Sequence, residues 1–455
     1  MKNRYFKVLF VLALTALFFQ SCSNDDNFDD TQADSILTTD LITDWNDLWL
    51  ELDRHAYGMR PTSSARALAY IHLAGYETAV VDMEGYTSNQ NRLEGFTIDE
   101  NQRAENVDLN LALNTSYALV FDHFMINMDV TYDSKIGQLK AAMETELSVG
   151  LNNSEIENSI AWGTYVANRV ITYSQTDIAA ESQIFDPQPL SYNPPLGEGY
   201  WTFSAEPERA LFPYWGQVRT FVISSDQTTS VAPPLPYSVD PGSDFYAGML
   251  EVYTANNTAK AENNDDLWIA EYWSDDVEGL MMSPPGRTVS IANQLVRQTD
   301  LSYDRTLAML LKLGFSLNDA AVSSWADKYE YMVMRPSVYI QEHIDPAFET
   351  NLYKFIFWPN PSFPSYPSGH STFASAAAGI FIAEFGDTID FTDRTHEGRT
   401  EFKGAPRQYT SISAMAEELA FSRVPLGVHM RMDCTEGYRL GYEISDAVLN
   451  FNLKN

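Results

Sequence analysis

The sequence predicts an all-α protein: two helical bundles packed into one globular unit and joined by a long Pro-rich loop. Three observations predict it. Apolar residues recur at helical spacing over most of the chain, and a 45% hydrophobic, 20% charged composition is enough to bury a large core. No alternating apolar and polar run marks a strand, and no repeat of solenoid length is present. Over 187–241 the texture changes, with Pro, Ser, Tyr and Gly crowded into what reads as a long ordered loop.

The chain opens on a targeting signal. Lys2, Arg4 and Lys7 give a positive start, residues 8–19 are apolar, and small residues precede Cys22. The run is too short and wrongly flanked for a transmembrane helix. Phe19-Gln20-Ser21-Cys22 resembles a bacterial lipobox. It predicts a lipoprotein signal peptide over 1–22 and a lipid anchor on Cys22; an ordinary signal peptide cut nearby is the alternative. The expected location is outside the cytoplasm, lipid-anchored at the outer membrane on its periplasmic or cell-surface face. Residues 23–40 are acidic and short of packing residues, and read as a flexible tether.

An N-terminal helical half with its long loop is predicted over 41–240, and a C-terminal helical half over 241–455. In the first half, helices are predicted over 62–81, behind a Pro-Thr-Ser-Ser start that looks like a cap, and over 109–128 and 154–173. In the second, helical pattern resumes at Phe245 and covers 266–273, 289–298, 303–313, the region around 318–332, 371–385, 411–422 and 433–451. Residues 359–367 read as an extended loop.

The formal net charge is −33, and removal of Lys2, Arg4 and Lys7 makes the mature chain three units more negative. Such a surface repels nucleic acid, so no nucleic-acid partner is expected, and an anion site here needs a local positive cluster. With Cys22 lipidated or lost, Cys434 is the only thiol. It can make no internal disulfide and reads as a small buried residue.

Three segments supply the positive cluster. Lys328 and Arg335 lie seven residues apart, close to two helical turns, which would put both on one helix face. Tyr366-Pro367-Ser368-Gly369-His370-Ser371 stands just before a helix, where backbone N–H groups are free and the helix dipole favours an anion. Gly369 lets a ligand approach the backbone. Ser422-Arg423 is followed by His429 and Asp433, spaced i,i+4, so that the carboxylate can hold one imidazole nitrogen and present the other. Singly, each has an ordinary reading: a solvated helix face, a turn before a capped helix, a satisfied core histidine. Together they provide what a reacting oxyanion needs.

These segments resemble the three-part signature of the type 2 phosphatidic acid phosphatase and vanadium haloperoxidase superfamily: Lys-x6-Arg-Pro, Pro-Ser-Gly-His and Ser-Arg-x5-His-x3-Asp, complete and in order. The resemblance implies a helical fold in which Lys328, Arg335, Ser368, Gly369, His370, Arg423 and His429 surround the oxyanion. His429 would be the axial vanadium ligand or the phosphatase nucleophile, and His370 the acid–base residue.

Four features resemble the haloperoxidase branch. The chain has a long N-terminal helical half, and the stretch from Arg60-Pro61 to Ala74 is similar to an early helix of that branch. Trp325 stands three residues before Lys328, where haloperoxidases place a tryptophan. Tyr272-Trp273-Ser274-Asp275-Asp276 followed by Pro284-Pro285 is similar to a stretch whose Asp, here Asp276, supports an active-site arginine. Phe363 occupies the position where algal bromoperoxidases carry histidine, and where fungal chloroperoxidases and bacterial iodide-oxidising relatives carry phenylalanine.

The resemblance implies a vanadate (V5+) cofactor, hydrogen peroxide and halide as substrates, iodide ahead of bromide, a small organic acceptor as a further partner, and a monomer. His370 would take a proton from hydrogen peroxide, and Lys328 would polarise the peroxide that halide attacks to give hypohalous acid. Trp325, Phe363 and Tyr272 would shape the halide pocket, and Asp433 would orient the helix bearing His429. The second enzyme reading is an acid phosphatase with a phosphohistidine at His429. A third is a lipid-anchored anion-binding protein without catalysis, against which the two histidines argue. His55, His72, His123, His343 and His396 match no motif and read as structural or surface residues.

Overall fold

A single helix organises the N-terminal half. Helix α2 (Thr62–Ala79) is buried along its whole length, since small and apolar residues such as Ala65, Leu68, Ala69, Leu73 and Ala74 cover every side. Such a helix must be surrounded. It packs against α3 (Leu109–Phe124) and α5 (Asn153–Gln175) in its own half, and against the 29-residue α10 (Tyr303–Tyr331) of the other. A Cβ on Gly314 of α10 would come within 2.8 Å of the Ala69 backbone, so these two helices touch main chain to main chain. The contact joins both bundles into one mostly helical unit.

The computed structural model describes residues 39–204, 207–228, 230, 234–260, 265–352 and 360–454. The signal peptide and residues 23–38 of the tether lie outside the described residues. The last two residues assigned to the tether instead begin α1 (Thr39–Asp53), which buries Trp45 and Trp49. Two more N-terminal helices have no counterpart in the sequence reading. Helix α4 (Val130–Leu147) buries only Ile136, so it carries no apolar stripe to read, and α6 (Ile178–Phe185) has only eight residues. The expected side-chain cap of α2 is absent: Pro61 occupies the cap position and no side chain bonds the first turn. Helix α5 carries the capping box instead, from Asn152 and Glu155.

The described parts of 187–241 run as loop with one 3₁₀ turn at Trp215–Gln217. Helices α7 (Asp244–Ala259), α8 (Asp265–Tyr272) and α9 (Pro284–Thr299) follow, and α9 starts on Pro284-Pro285 behind the Ser283 cap. After α10 come the short α11 (Pro336–His343), the Ala-rich α12 (Gly369–Phe385), α13 (Ile412–Phe421), the four-residue α14 (Arg423–Leu426) and α15 (Arg431–Leu449). The second bundle is α10, α12, α13 and α15, with α12 against α15 at its centre.

One feature departs from the strand-free expectation. Strands β1 (Thr388–Asp393) and β2 (Arg407–Ser411) pair antiparallel between α12 and α13. They are too short and irregular to show an alternating pattern, with a register shift between Thr388 and Phe391. Cys434 is buried and unpaired, as its composition context implied. Among the described residues no helix is long and apolar enough to cross a membrane.

Candidate oxyanion site

The three motif segments meet at one end of the second bundle, though not as the spacing predicted. Lys328 and Arg335 do not share a helix face. Helix α10 stops at Tyr331, Met332 turns the chain at φ 50°, and Arg335 becomes the cap residue of α11. The two cations converge because the chain turns between them. Lys328 Nζ donates to the carbonyls of Pro364 at 3.1 Å, Ser365 at 2.9 Å and, more closely, Pro367. The ammonium thus fastens the end of α10 to the loop that leads into α12.

That loop delivers Ser368 as the cap of α12, its Oγ accepting from Ser371 N, with Gly369 and His370 in the first turn. Their N–H groups have no earlier carbonyl within the helix. Gly369 is required by close approach: a Cβ there would lie 3.1 Å from Trp325 Cζ3 and 3.9 Å from Lys328 Cε. Arg423 opens α14, its NH1 donating to Trp273 O at 2.9 Å and Ser274 O at 3.4 Å. His370 Nε2 bonds the same Ser274 carbonyl at 3.2 Å, which places its proton on Nε2 and leaves Nδ1 as acceptor.

His429 lies ahead of α15, not within it. Its Nδ1 is 3.1 Å from Asp433 Oδ2, and Asp433 also accepts from Met430 N at 3.1 Å and Ser365 Oγ at 2.6 Å. A carboxylate oxygen beside Nδ1 selects the Nδ1–H tautomer and leaves a lone pair on Nε2. Arg335 NH1 approaches that Nε2 at 3.3 Å. Ser365 was missed by the sequence reading; it stands two residues before the Pro-Ser-Gly-His core, and no local pattern marks it.

The charges disfavour one another. Burial and the neighbouring Arg335 hold Lys328 well below the usual lysine range. Burial brings Arg335 down to about 9 and Arg423 to about 10. His429 is held well below the usual histidine value by burial and then by Arg335, and His370 by burial and then by Arg423. Asp433 is raised by burial, against the pull of the Ser365 bond and Lys328. Lys328, Arg335 and Arg423 therefore share a buried space in which an anion would favour their charged forms.

Orphaned donors test the fit of a tetrahedral oxyanion. Arg335 NH2 and Arg423 Nε are buried without a hydrogen-bond partner among the described residues. No group of three or more His, Cys, Asp or Glu among them could ligate a metal cation. A guanidinium-rich pocket with orphaned N–H groups at a helix N-terminus fits an oxyanion such as vanadate or phosphate.

The space beside this cluster is a cavity of about 170 Å³ lined by Arg423, His429, Gly369, His370, Trp325 and Phe363, among others. The Trp325 and Phe363 rings lie 4.9 Å apart, tilted by 46°, and Lys328 Nζ and Arg335 Cζ lie 5.3 and 4.9 Å from the Phe363 ring. Tyr272 does not line it. It is buried behind the wall, donating to Asp393 O at 3.0 Å. Asp276 lines the cavity but makes no ion pair with Arg423 within 4 Å; among cations, Arg60 acts on it most strongly. Asp275 influences Arg423 more than Asp276 does.

Behind Asp275 lies a buried cluster that the sequence did not reveal. Arg287 bonds Asp393 at 2.8 Å, stands 3.7 Å from Asp275, and contacts His396. Its guanidinium stacks over Tyr272 and Trp273 at 4.5 and 4.3 Å. Asp393 ends β1, so the small sheet holds the backing of the Asp275-Asp276 turn.

A helical bundle that gathers buried cations and two imidazoles at a helix N-terminus defines a class of oxyanion-handling proteins. Within that class, residues 308–454 match the second helical-bundle domain of the vanadium chloroperoxidase family. The fold superposes on a bacterial vanadium-dependent iodoperoxidase with a TM-score of 0.80 at 24% identity, over 92% of this chain and 98% of that one. A holo-type bacterial vanadium-dependent chloroperoxidase gives 0.63 at 15% identity, over 87% and 92%. Vanadium chloroperoxidase of Curvularia inaequalis is 25% identical over 287 residues, 49% of this chain and 46% of that protein, so the matched stretch spans about half of each. In fold the chain is similar to bacterial vanadium-dependent haloperoxidases, and its second bundle matches the corresponding domain of the vanadium chloroperoxidase family.

Proposed function

We propose that the protein is a vanadium-dependent haloperoxidase that oxidises iodide, and bromide less readily, with hydrogen peroxide. The observation that carries the reading is that Arg423, His370 and His429 line one cavity at the α12 N-terminus, with Lys328 and Arg335 buried against the Phe363 ring of its wall. Lys328, Arg335, Arg423, Ser368 and the Gly369 N–H would hold the oxygens of vanadate, and His429 Nε2 would face the metal. Bound vanadate would supply Lewis-acid activation of peroxide with no change of oxidation state.

The chain's own groups supply the rest. Asp433 and Ser365 fix the His429 ring so that Nε2 keeps its lone pair. His370, held neutral by burial, accepts the proton of incoming hydrogen peroxide at Nδ1 while Nε2 stays bonded to Ser274 O. Lys328 lies beneath the Trp325 and Phe363 rings and adds positive charge where oxygen becomes electrophilic. The two rings keep that side of the cavity dry. Phe363 in place of histidine argues against a bromoperoxidase of the algal kind, and iodide preference is supported by likeness to a bacterial iodoperoxidase.

The His429–Asp433 bond favours a second reading, an acid phosphatase in which Nε2 attacks phosphorus and His370 protonates the leaving alcohol. One assay separates them. Iodide and bromide oxidation by peroxide is measured with and without orthovanadate, on wild type and His429→Ala, beside hydrolysis of p-nitrophenyl phosphate. The haloperoxidase requires vanadate and loses about a hundredfold or more in rate in the variant. Phosphate-ester turnover inhibited by vanadate, with no halide oxidation, assigns the phosphatase instead.

A further inference from the structure

The buried cations of this protein fall into two groups. Arg66 and Arg287 are neutralised by direct ion pairs, Arg66 with Glu181 at 2.8 Å and Arg287 with Asp393 at 2.8 Å. Lys328, Arg335 and Arg423 have no ion pair among the described residues, as an oxyanion site requires. Among the described residues one further buried cation is without an ion pair in the same way: Arg60, 3% exposed and contributed by the N-terminal half. Asp275 and Asp276 act on it without a direct ion pair, and a buried guanidinium lacking one is stabilised by an anion in contact.

Arg60 lines the same cavity as His370, Arg423, Trp325 and Phe363. Its NH1 donates to Met281 O at 2.8 Å and its NH2 to Asp53 O, while Nε–H is buried without a partner. The loop that carries it is tied to the opposite wall, Gly58 N to Glu278 Oε1 and Gly279 N to Arg54 O, each at 2.8 Å. The guanidinium is therefore fixed in place. A second N–H donor of the cavity, Trp325 Nε1, is also buried without a partner among the described residues.

The Asp275-Asp276 turn is under the influence of both Arg60 and Arg423, and both of its carboxylates line the cavity. We propose that Arg60 is a halide-binding residue of this cavity, holding a monovalent halide in the space it lines with Trp325 and Phe363. The ligand class follows from the surroundings. One fixed cation, orphaned N–H donors and the rings of Trp325 and Phe363 suit a single large, weakly hydrated, polarisable anion. The inference rests on the haloperoxidase reading for its identification of the anion as a substrate.

The test has a structural and a solution arm. Anomalous diffraction from bromide- or iodide-soaked crystals of vanadate-loaded wild-type protein should place a halide in contact with the Arg60 guanidinium. Absence of a halide there overturns the inference. In solution, iodide binding and orthovanadate binding are titrated for Arg60→Met and Arg60→Lys. Arg60→Met should weaken iodide about tenfold or more with orthovanadate affinity within about twofold, and Arg60→Lys should retain part of the halide affinity. Equal loss of both ligands makes Arg60 a structural residue and rejects the proposal; a variant that fails to fold leaves the diffraction arm decisive. Wild-type protein that binds halide beside Arg60 without oxidising it refutes the enzymatic reading alone. Halide oxidation with nothing bound at Arg60 refutes this inference alone.

Discussion

At the scale of single residues, burial decides protonation in this protein. His72 is the clearest case, because it lies outside the site. It is 1% exposed within α2, neither ring nitrogen has a partner among the described residues, and burial alone lowers its pKa to about 3. The unfolded chain binds a proton at His72 below about pH 6.5, while the folded chain does not until about pH 3. Stability from this group is therefore complete above pH 6.5 and is lost as pH falls toward 3, by up to ~1.4 kcal/mol per pH unit. His72→Leu should flatten that acid limb and raise neutral-pH stability by about 1 kcal/mol, since it removes two unsatisfied polar atoms. Urea melts at pH 7 and pH 5 measure both, and an unchanged pH slope would refute the assignment.

The site residues were legible for a reason of the same scale. Ser, Gly, His, Lys and Arg at fixed spacings are visible in one dimension because each motif is local. Asp433 was legible because it lies one helical turn from His429. Ser365, Arg60 and Arg287 were not, since their partners lie 68, 221 and 106 residues away. Tyr272 was expected in the halide pocket on sequence likeness, yet its hydroxyl turns toward Asp393 and its ring packs on Arg287, outside the cavity.

At the scale of elements, the site depends on how closely α15 approaches α12. A Cβ on Gly437 would run into the Ser368 carbonyl, and one on Gly441 into Thr372 O and Ser375 Oγ. The first of these glycines sits directly behind the Pro-Ser-Gly-His turn. Gly437→Ala should push the α12 N-terminus outward, lowering stability by about 1–3 kcal/mol and orthovanadate affinity by tenfold or more. Gly386→Ala is the control. It meets no atom within 4 Å, though its φ of 80° adds backbone strain, so it should cost stability while leaving vanadate affinity intact. Calorimetric titration of both variants decides, and equal vanadate affinities would show that the α12–α15 spacing does not set the site. The main helices were readable from their apolar stripes. Helix α4, α6 and the β1–β2 pair were not, because polar surfaces and short lengths carry no periodic signal.

At the scale of the whole molecule, α2 against α10 makes the two bundles one cooperative body, so heating should give one transition. The proposed oxyanion site draws on the ends of α10, α11, α12 and α14, and a ligand that bridges so many elements would stabilise them together. Orthovanadate at a hundredfold excess over Kd should add about 2.7 kcal/mol and raise Tm by about 3 °C. Differential scanning calorimetry reads both effects; two separated transitions, with vanadate moving only the later one, would show that the halves melt independently.

The wall that Gly58, Arg60 and Pro61 contribute has a consequence for how such a protein diversifies. The proposed cradle is built from one portion of the polypeptide, whereas the cavity beside it is partly carved by another. Mutational drift in that second wall would re-tailor the space beside the cradle while leaving the residues proposed to grip the ion as they were.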